Sequence, residues 1–517
     1  LNILAALDKP TSGMVQLDGN DLTQIKESRI AAFRRDHLGF VFQDFNLLDT
    51  FSIRDNIFLP LVLAAYYLSP RKIRNGILVF FSLLFYAWGE PIYILLMLCS
   101  VLVNFMGGIF MEDHKTHRKG ILWGTVLINL GLLGYFKCFN FLAEIIGKIL
   151  PGGLGNLSIP QVALPIGISF YTFQALSYVI DVYRGEVKAQ RNFWYMLLYI
   201  SFFPQLIAGP IVKYRDIAQQ ILERKETVEK FAAGVMRFCW GLGKKVLLAN
   251  AFAEVVDDIF QYGPEAVSRK ALWLGAVLYM LQIYYDFSGY SDMAVGLGKM
   301  FGFQFQENFD YPYVSGSVKE FWRRWHISLS SWFRDYVYIP LGGNRKGALC
   351  TYRNLLIVFF LTGMWHGAGT GFILWGLYHG LFLILERVWL GKKLEKLPGF
   401  VGWGYTMIVV FLGWILFRAE DFGLFCSYVK NLFVSHGGMI LTSAYLDKKL
   451  LFLLIMGILF AGFVQKVYGL LREKMPGKFP ENGVVTVPRI VASIAILWLC
   501  VMSLVNNSYN PFIYFRF

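Results

Sequence analysis

The sequence predicts an all-α polytopic membrane protein. Hydrophobic residues make up 56% of its 517 residues, and the mean hydropathy is +0.48. Soluble domains contain about 45–50% apolar residues, so this composition is too apolar for that class. Apolar runs of helical length follow one another along the chain, with short basic clusters between them. From these runs we expect about ten to twelve transmembrane or re-entrant helices in a domain of residues 58–517.

The net charge of +14 does not indicate nucleic acid as a partner. The basic residues lie in loops between apolar runs, where they fit anionic lipid headgroups of a bilayer. The six cysteines are scattered and form no C-x-x-C pair, so we predict neither a zinc site nor a disulfide framework. No metal site is expected.

Residues 1–57 differ from the rest of the chain. They carry 6 Lys/Arg and 8 Asp/Glu, and Asp8-Lys9-Pro10 and Asp18-Gly19 predict turns. Residues 39–44 predict a buried strand that leads to the polar Gln43. This short α/β fragment resembles an ABC-transporter ATPase from just after the Walker A loop to the Q-loop, with Gln43 as the Q-loop glutamine. The resemblance places the phosphate-binding loop upstream of Leu1, so we expect a partial, non-functional ATPase fragment joined to the membrane domain.

The membrane domain contains two predicted breaks. Gly89-Glu90-Pro91 separates two helices of a hairpin, and Pro204, Gly209 and Pro210 interrupt the apolar run 194–212, which predicts a broken or re-entrant helix. The charged run 213–230 predicts a surface helix. Residues 77–88, 91–110, 121–136 and 271–285 are among the predicted spans. Three clear spans follow toward the end of the chain, at residues 405–417, 450–468 and 490–505.

Two carboxylates, Asp286 and Asp292, follow the span 271–285 among serines and tyrosines. They either line a polar cavity or, with the serines, cap a helix around a kink.

The residue that most needs an explanation is His366. It lies between the apolar runs 355–361 and 372–377, and an imidazole at membrane depth is costly. It is either a functional residue or a structural histidine satisfied by a neighbouring helix. A neutral buried imidazole suits a general base that takes a proton from a hydroxyl attacking a thioester. No G-x-S-x-G motif and no cysteine accompany the histidines, so direct transfer is favoured over a covalent acyl-enzyme.

Basic residues surround this stretch. The spacing of Arg323, His326 and Ser330 predicts that they share one helical face. The wider basic rim is either a snorkelling belt at the membrane surface or a site for the phosphates of a coenzyme or carrier pantetheine arm. It comprises Arg323, Arg324, Arg334, Arg345, Lys346 and Arg353. His379 is expected to pack or to support the site.

From about residue 58 to the end, the chain resembles the membrane-bound O-acyltransferase family, in its bacterial branch similar to alginate O-acetyltransferases. The motifs that carry the resemblance are Phe85-Tyr86-Ala87-Trp88-Gly89-Glu90-Pro91, residues 164–174, 203–210, 285–292 and 321–343, and Gly363-Met364-Trp365-His366-Gly367. The resemblance implies a ring of helices around a central catalytic tunnel. It also implies that His366 is the catalytic histidine and that His326 is the second histidine, which positions or polarises the thioester.

We therefore expect an enzyme of a bacterial plasma (inner) membrane that moves an acyl group, with acetyl favoured, to hydroxyls of an extracytoplasmic polysaccharide. Acetyl-CoA or an acyl-carrier thioester is the expected donor substrate, without a bound cofactor, and a partner acyl-relay or transferase protein is expected outside. The alternatives are D-alanyl transfer to teichoic acid and a transporter or flippase without transfer chemistry. Besides the two histidines, we expect donor or substrate contacts from Arg323, Arg324, Trp325, Ser328, Asp335, Trp365 and Asp286.

Overall fold

The structure, a computed structural model, describes residues 16–17, 20–21, 53–149, 162–367, 369–419, 421–434, 438–475 and 485–506. It divides into two units, Leu1–Leu47 and Leu48–Phe517. The described part of the first unit is an antiparallel pair of strands, β1 (Gln16–Leu17) and β2 (Asn20–Asp21). The predicted turns and the predicted strand with Gln43 lie outside the described residues. The ATPase-like fragment therefore stays a prediction.

The described part of the second unit is helical. Its first helices are α1 (Ile53–Leu68), α2 (Arg71–Gly89), α3 (Tyr93–Asp113), α4 (Arg118–Ile149), α5 (Ile168–Arg184), α6 (Phe193–Ser201), α7 (Phe203–Leu206), α8 (Tyr214–Glu223), α9 (Val228–Gly243), α10 (Asn250–Gln261) and α11 (Arg269–Met300). The later ones are α12 (Val318–Arg324), α13 (Ile327–Phe333), α14 (Gly347–His366), α15 (Thr370–Leu385), α16 (Gly391–Leu394), α17 (Gly399–Arg418), α18 (Phe422–Phe433), α19 (Lys448–Ile458), α20 (Val464–Lys474) and α21 (Val487–Asn506).

Short segments of other helical types lie beside these helices. The π-helical ones are Lys244–Ala249, Arg334–Tyr338, Glu386–Leu390 and Leu459–Phe463, and the 3-10 ones are Pro312–Val314 and Thr442–Ala444.

Seven helical stretches of the described residues are long and apolar enough to cross a membrane. They are Tyr93–Asp113, Arg118–Phe141, Gly347–His366, Thr370–Leu394, Gly399–Arg418, Lys448–Lys474 and Val487–Val505. The all-α polytopic prediction is confirmed. The larger count of ten to twelve also included shorter or more polar segments, such as the 32-residue α11, which carries several polar side chains and is not among the seven.

The two predicted breaks are present. Helix α2 ends at Gly89 and α3 begins at Tyr93, on either side of Pro91. Helix α6 ends at Ser201, and the short α7 is followed by non-helical backbone. Backbone groups freed by the second break are satisfied by protein, since the Gln205 side chain donates to the Tyr199 carbonyl at 2.7 Å and Phe203 N donates to Ser82 Oγ at 3.2 Å. Buried polar partners of this kind are what allow a broken helix at membrane depth.

Helix α11 runs without interruption from Arg269 to Met300. The alternative that Asp286 and Asp292 cap a kinked helix is therefore wrong. Both carboxylates form ion pairs instead: Asp286 Oδ1 lies 2.5 Å from Lys245 Nζ, and Asp292 Oδ2 lies 2.6 Å from Lys244 Nζ. A buried carboxylate without a nearby cation would be costly, so these pairs allow α11 to remain buried along most of its length.

Helices α14 and α15 approach each other at backbone contact. A Cβ atom at Gly376 on α15 would collide with the carbonyl oxygen of Phe359 on α14. Small residues let membrane helices approach this closely. The contact sets the end of α14, with His366, beside Trp375 of α15.

Candidate active site

His366 is the last residue of α14 and is buried among aromatic rings. Its ring centroid lies 4.8 Å from that of Trp365, 5.1 Å from Trp375 and 5.2 Å from Phe417. All three contacts are edge-to-face. Because α14, α15 and α17 each supply one of these rings, the imidazole is held by three separate helices.

His326 lies in the turn between α12 and α13. Its backbone is left-handed, with φ 44° and ψ 55°, which is uncommon for a residue other than glycine. Such a conformation costs on the order of 1–2 kcal/mol and persists only where the surroundings impose it. The prediction that Arg323, His326 and Ser330 share one helical face is wrong, because α12 ends at Arg324 and a new helix begins at Ile327.

Asn308 imposes this turn. Its backbone carbonyl accepts a hydrogen bond from Ile327 N at 2.9 Å. Its side-chain oxygen accepts from Ser328 N at 3.2 Å and from Ser328 Oγ at 2.9 Å, and it lies 3.1 Å from His326 Nδ1. Asn308 and His326 are each 1% exposed. Burial lowers the pKa of the His326 imidazole to about 3, so this ring is neutral at physiological pH.

Trp365 contacts both histidines. Its ring centroid is 5.8 Å from that of His326 and 4.8 Å from that of His366. Two buried imidazoles, 40 residues apart in the chain, therefore share one indole. A buried, water-poor site strengthens hydrogen bonds and electrostatic interactions between such groups and a substrate.

The pattern that defines the membrane-bound O-acyltransferase family matches residues 187–429. The chain is 38% identical to a probable alginate O-acetylase of Azotobacter vinelandii over 494 residues, which cover 89% of this chain and 98% of that protein. It is 33% identical to a peptidoglycan O-acetyltransferase of Helicobacter pylori (70% and 75% covered) and 31% identical to a teichoic acid D-alanyltransferase of Bacillus subtilis (54% and 76% covered).

The chain belongs to the membrane-bound O-acyltransferase family. It is an O-acyltransferase and a multi-pass membrane protein.

In this acyltransferase, Lys137 of α4 reaches the end of α14 that carries His366. Its ammonium group donates a hydrogen bond to the backbone carbonyl of Trp365 and lies 3.4 Å from Ser169 Oγ. It also lies 5.5 Å from the centroid of the Trp365 ring. The last carbonyls of a helix lack intrahelical partners and carry partial negative charge, so a lysine here stabilises the end of α14.

Several residues predicted to bind the donor have structural partners. Arg324 pairs with Glu320 and Asp310, each at 2.9 Å. Trp325 is buried and packs on Trp414, with ring centroids 4.7 Å apart. Arg323, in contrast, is exposed.

Ser328 ties the His326 turn to the broken helix. Its hydroxyl donates to Asn308 Oδ1 and accepts a hydrogen bond from Ile211 N at 3.0 Å. It is 1% exposed, so its position holds two parts of the buried backbone together.

Asp335 pairs with three cations from two segments of the chain. Its carboxylate lies 2.7 Å from Lys213 Nζ, 2.6 Å from an Arg215 guanidinium nitrogen and 2.8 Å from Arg334 Nε. Burial alone would raise the pKa of Asp335, but hydrogen bonds from Arg334 and Lys213 outweigh it and lower the pKa to about 2. The predicted surface helix is wrong at its start, because Lys213 is only 3% exposed.

The other rim residues Arg334, Arg345, Lys346 and Arg353 are exposed. His379 is buried against Trp322 and Trp375, at 5.1 and 5.2 Å between ring centroids. Trp375 also contacts His366, so its ring lies between the two histidines.

The residues that sequence reasoning missed are Asn308, Lys137 and Trp375. A lysine inside the apolar run of α4 was a usable signal for Lys137. Asn308 has no comparable signal in the sequence, because an asparagine between Glu307 and Phe309 is an ordinary residue for a loop.

Proposed function

We propose that this acyltransferase moves an acyl group, with acetyl favoured, from a thioester donor to hydroxyl groups of an extracytoplasmic polysaccharide. The observation that supports this most is the packing of His326 and His366 on the shared indole of Trp365. The extensive similarity to proteins named alginate O-acetylase favours acetyl and a polysaccharide.

His366 is the proposed general base. It takes the proton of the attacking hydroxyl while the hydroxyl oxygen forms a bond to the thioester carbonyl carbon. The carbon–sulfur bond then breaks, and the departing thiolate takes the proton from the His366 imidazolium. The surrounding rings of Trp365, Trp375 and Phe417 exclude water, which favours transfer to the hydroxyl over hydrolysis of the thioester.

The donor is proposed to be acetyl-CoA or an acyl-carrier thioester. The exposed cations Arg323, Arg334, Arg345, Lys346 and Arg353 offer guanidinium and ammonium groups to its phosphates. We place the enzyme in a bacterial plasma membrane, where an extracytoplasmic polysaccharide, or a partner protein that relays the acyl group, receives it.

D-alanyl transfer to teichoic acid is the second candidate. The relative of this name in Bacillus subtilis is 31% identical over 311 residues. The two candidates share the same histidine chemistry and differ in the acyl group and the polymer.

The test uses a strain that lacks this gene, complemented with wild type, His366→Ala or the control His117→Ala. His117 is exposed in the loop between α3 and α4. Base-labile ester on the isolated cell-surface polysaccharide is measured at equal membrane abundance of each variant, and the released acid is identified.

We expect wild type and His117→Ala to restore the ester and His366→Ala to leave it absent. Released acetate supports the first candidate, and released D-alanine supports the second. Full ester with His366→Ala would overturn the proposed chemistry. A His366→Ala strain that exports less polymer of unchanged ester content would support a transporter instead.

A further inference from the structure

The side-chain oxygen of Asn308 lies at the centre of three contacts. It accepts from Ser328 N and Ser328 Oγ, and it lies 3.1 Å from His326 Nδ1. A backbone N–H can only donate, so the Asn308 atom that faces Ser328 N must be the oxygen and not the amide nitrogen. The orientation of the Asn308 amide is assigned by this contact.

That orientation decides the tautomer of His326. An amide oxygen only accepts hydrogen bonds, so the contact with Nδ1 requires a hydrogen on Nδ1. In a neutral imidazole the other nitrogen, Nε2, then carries a lone pair and no hydrogen. His326 can therefore accept a hydrogen bond at Nε2 but cannot donate one there.

Nε2 of His326 is buried and has no hydrogen-bond partner among the described residues. The rings around it are Phe287, Phe309 and Trp365, at 4.5, 6.4 and 5.8 Å between centroids, and none of them is charged. The titratable groups nearby are His366, which interacts electrostatically with His326, and Lys137, whose ammonium group acts on His366 and lies 5.5 Å from the centroid of the Trp365 ring. A buried polar atom without a partner is uncommon and points to a ligand that is absent here.

We propose that Asn308 is a positioning residue that fixes His326 as the Nδ1–H tautomer, so that Nε2 accepts a hydrogen bond from a hydroxyl of the polysaccharide. This proposal rests on the proposed function. The tautomer changes the role that the motif suggested for His326. A group that polarises the thioester carbonyl must donate a hydrogen bond to it, whereas Nε2 of His326 presents a lone pair and can only accept. His326 then orients the polysaccharide while His366 takes the proton.

The tautomer is measured directly by solid-state NMR of the full-length protein in lipid, labelled with ¹⁵N-histidine. The His326 resonances are identified by their loss in His326→Asn, in which asparagine tolerates the left-handed backbone. We expect protonated Nδ1 and unprotonated Nε2 in wild type, and loss of this pattern in Asn308→Leu. Protonated Nε2 in wild type would overturn the proposal.

The kinetic test uses Asn308→Asp, which keeps the oxygen that accepts all three contacts. Asn308 Nδ2 has no hydrogen-bond partner among the described residues, so no bond is lost with it. A carboxylate beside Nδ1–H stabilises the imidazolium, whose Nε2 carries a hydrogen and cannot accept. We expect the acidic limb of the plot of kcat/KM against pH to move to higher pH by about one unit or more.

A merely structural role for Asn308 predicts no such shift, because every hydrogen bond is retained. The control is Asn431→Asp, a buried asparagine of α18 whose amide bonds within its own helix; it should leave the profile unchanged. An unshifted profile in Asn308→Asp would overturn the proposal. If wild type transfers no acyl group at all, the proposed function fails. The NMR measurement then still decides whether Asn308 fixes the tautomer of His326.

Discussion

The ammonium group of Lys137 donates a hydrogen bond to the backbone carbonyl of Trp365, the residue before His366. A lysine in a membrane span thus stabilises the helix end that carries the proposed base. The two residues are 228 positions apart in the chain. The geometry of His366 therefore depends on α4 as well as on the rings around it.

We predict that Lys137→Met lowers kcat/KM by about tenfold to a hundredfold, because a hydrogen bond from a charged group is worth roughly 1.5–3 kcal/mol. Acyl transfer by the purified enzyme in lipid nanodiscs measures this. Lys115→Met, in an exposed loop, is the matched control and should behave as wild type. Equal activity of Lys137→Met and wild type would show that α14 holds its end without this bond.

The stability of the protein should fall with acidification because of His326. Its pKa is lowered from 6.5 to about 3 by burial, so the unfolded chain binds more protons between these values. The contribution of neutral His326 to the free energy of unfolding is fully present above pH 6.5. It is lost as the pH falls toward 3, by up to about 1.4 kcal/mol per pH unit. We predict that the Tm of His326→Asn falls less between pH 7 and pH 5 than that of wild type. Parallel curves for the two proteins would contradict this.

Asp335→Asn should destabilise the protein. The change leaves Lys213, which is 3% exposed, without its carboxylate. Removing one partner of a buried ion pair costs about 3–5 kcal/mol. We predict low membrane abundance for Asp335→Asn and partial recovery in Lys213→Met/Asp335→Asn, measured by quantitative immunoblotting of membranes. If Asp335→Asn accumulates normally and loses only donor affinity, Asp335 acts on the substrate and not on the fold.

Local signals allowed the membrane fold to be predicted. Both spans and helix breaks are determined by residues that are close together in the sequence. The spans could therefore be found from apolar runs of spanning length, and the two breaks from the prolines at positions 91, 204 and 210. The continuity of α11 could not, because the neutralisation of Asp286 and Asp292 depends on Lys244 and Lys245 of another segment.

The site was predictable only in part, for the same reason. His326 and His366 stand in recognisable motifs, but the spacing of Arg323 and His326 suggested one continuous helix. The left-handed turn at His326 depends on Asn308, eighteen residues earlier, and pairs such as Lys213 with Asp335 are 122 positions apart. Contacts of this kind leave no periodic pattern in a sequence.

His366 is the proposed general base of acyl transfer. The most direct measurement is a single-turnover assay with the purified enzyme in nanodiscs, a radiolabelled acetyl thioester and a polysaccharide with free hydroxyls, comparing wild type, His366→Gln and His117→Gln. We predict ester formation by wild type and His117→Gln, and a loss of at least about a hundredfold in rate with His366→Gln, in line with general base catalysis. Ester formation by His366→Gln at the wild-type rate would contradict the role of His366 as general base.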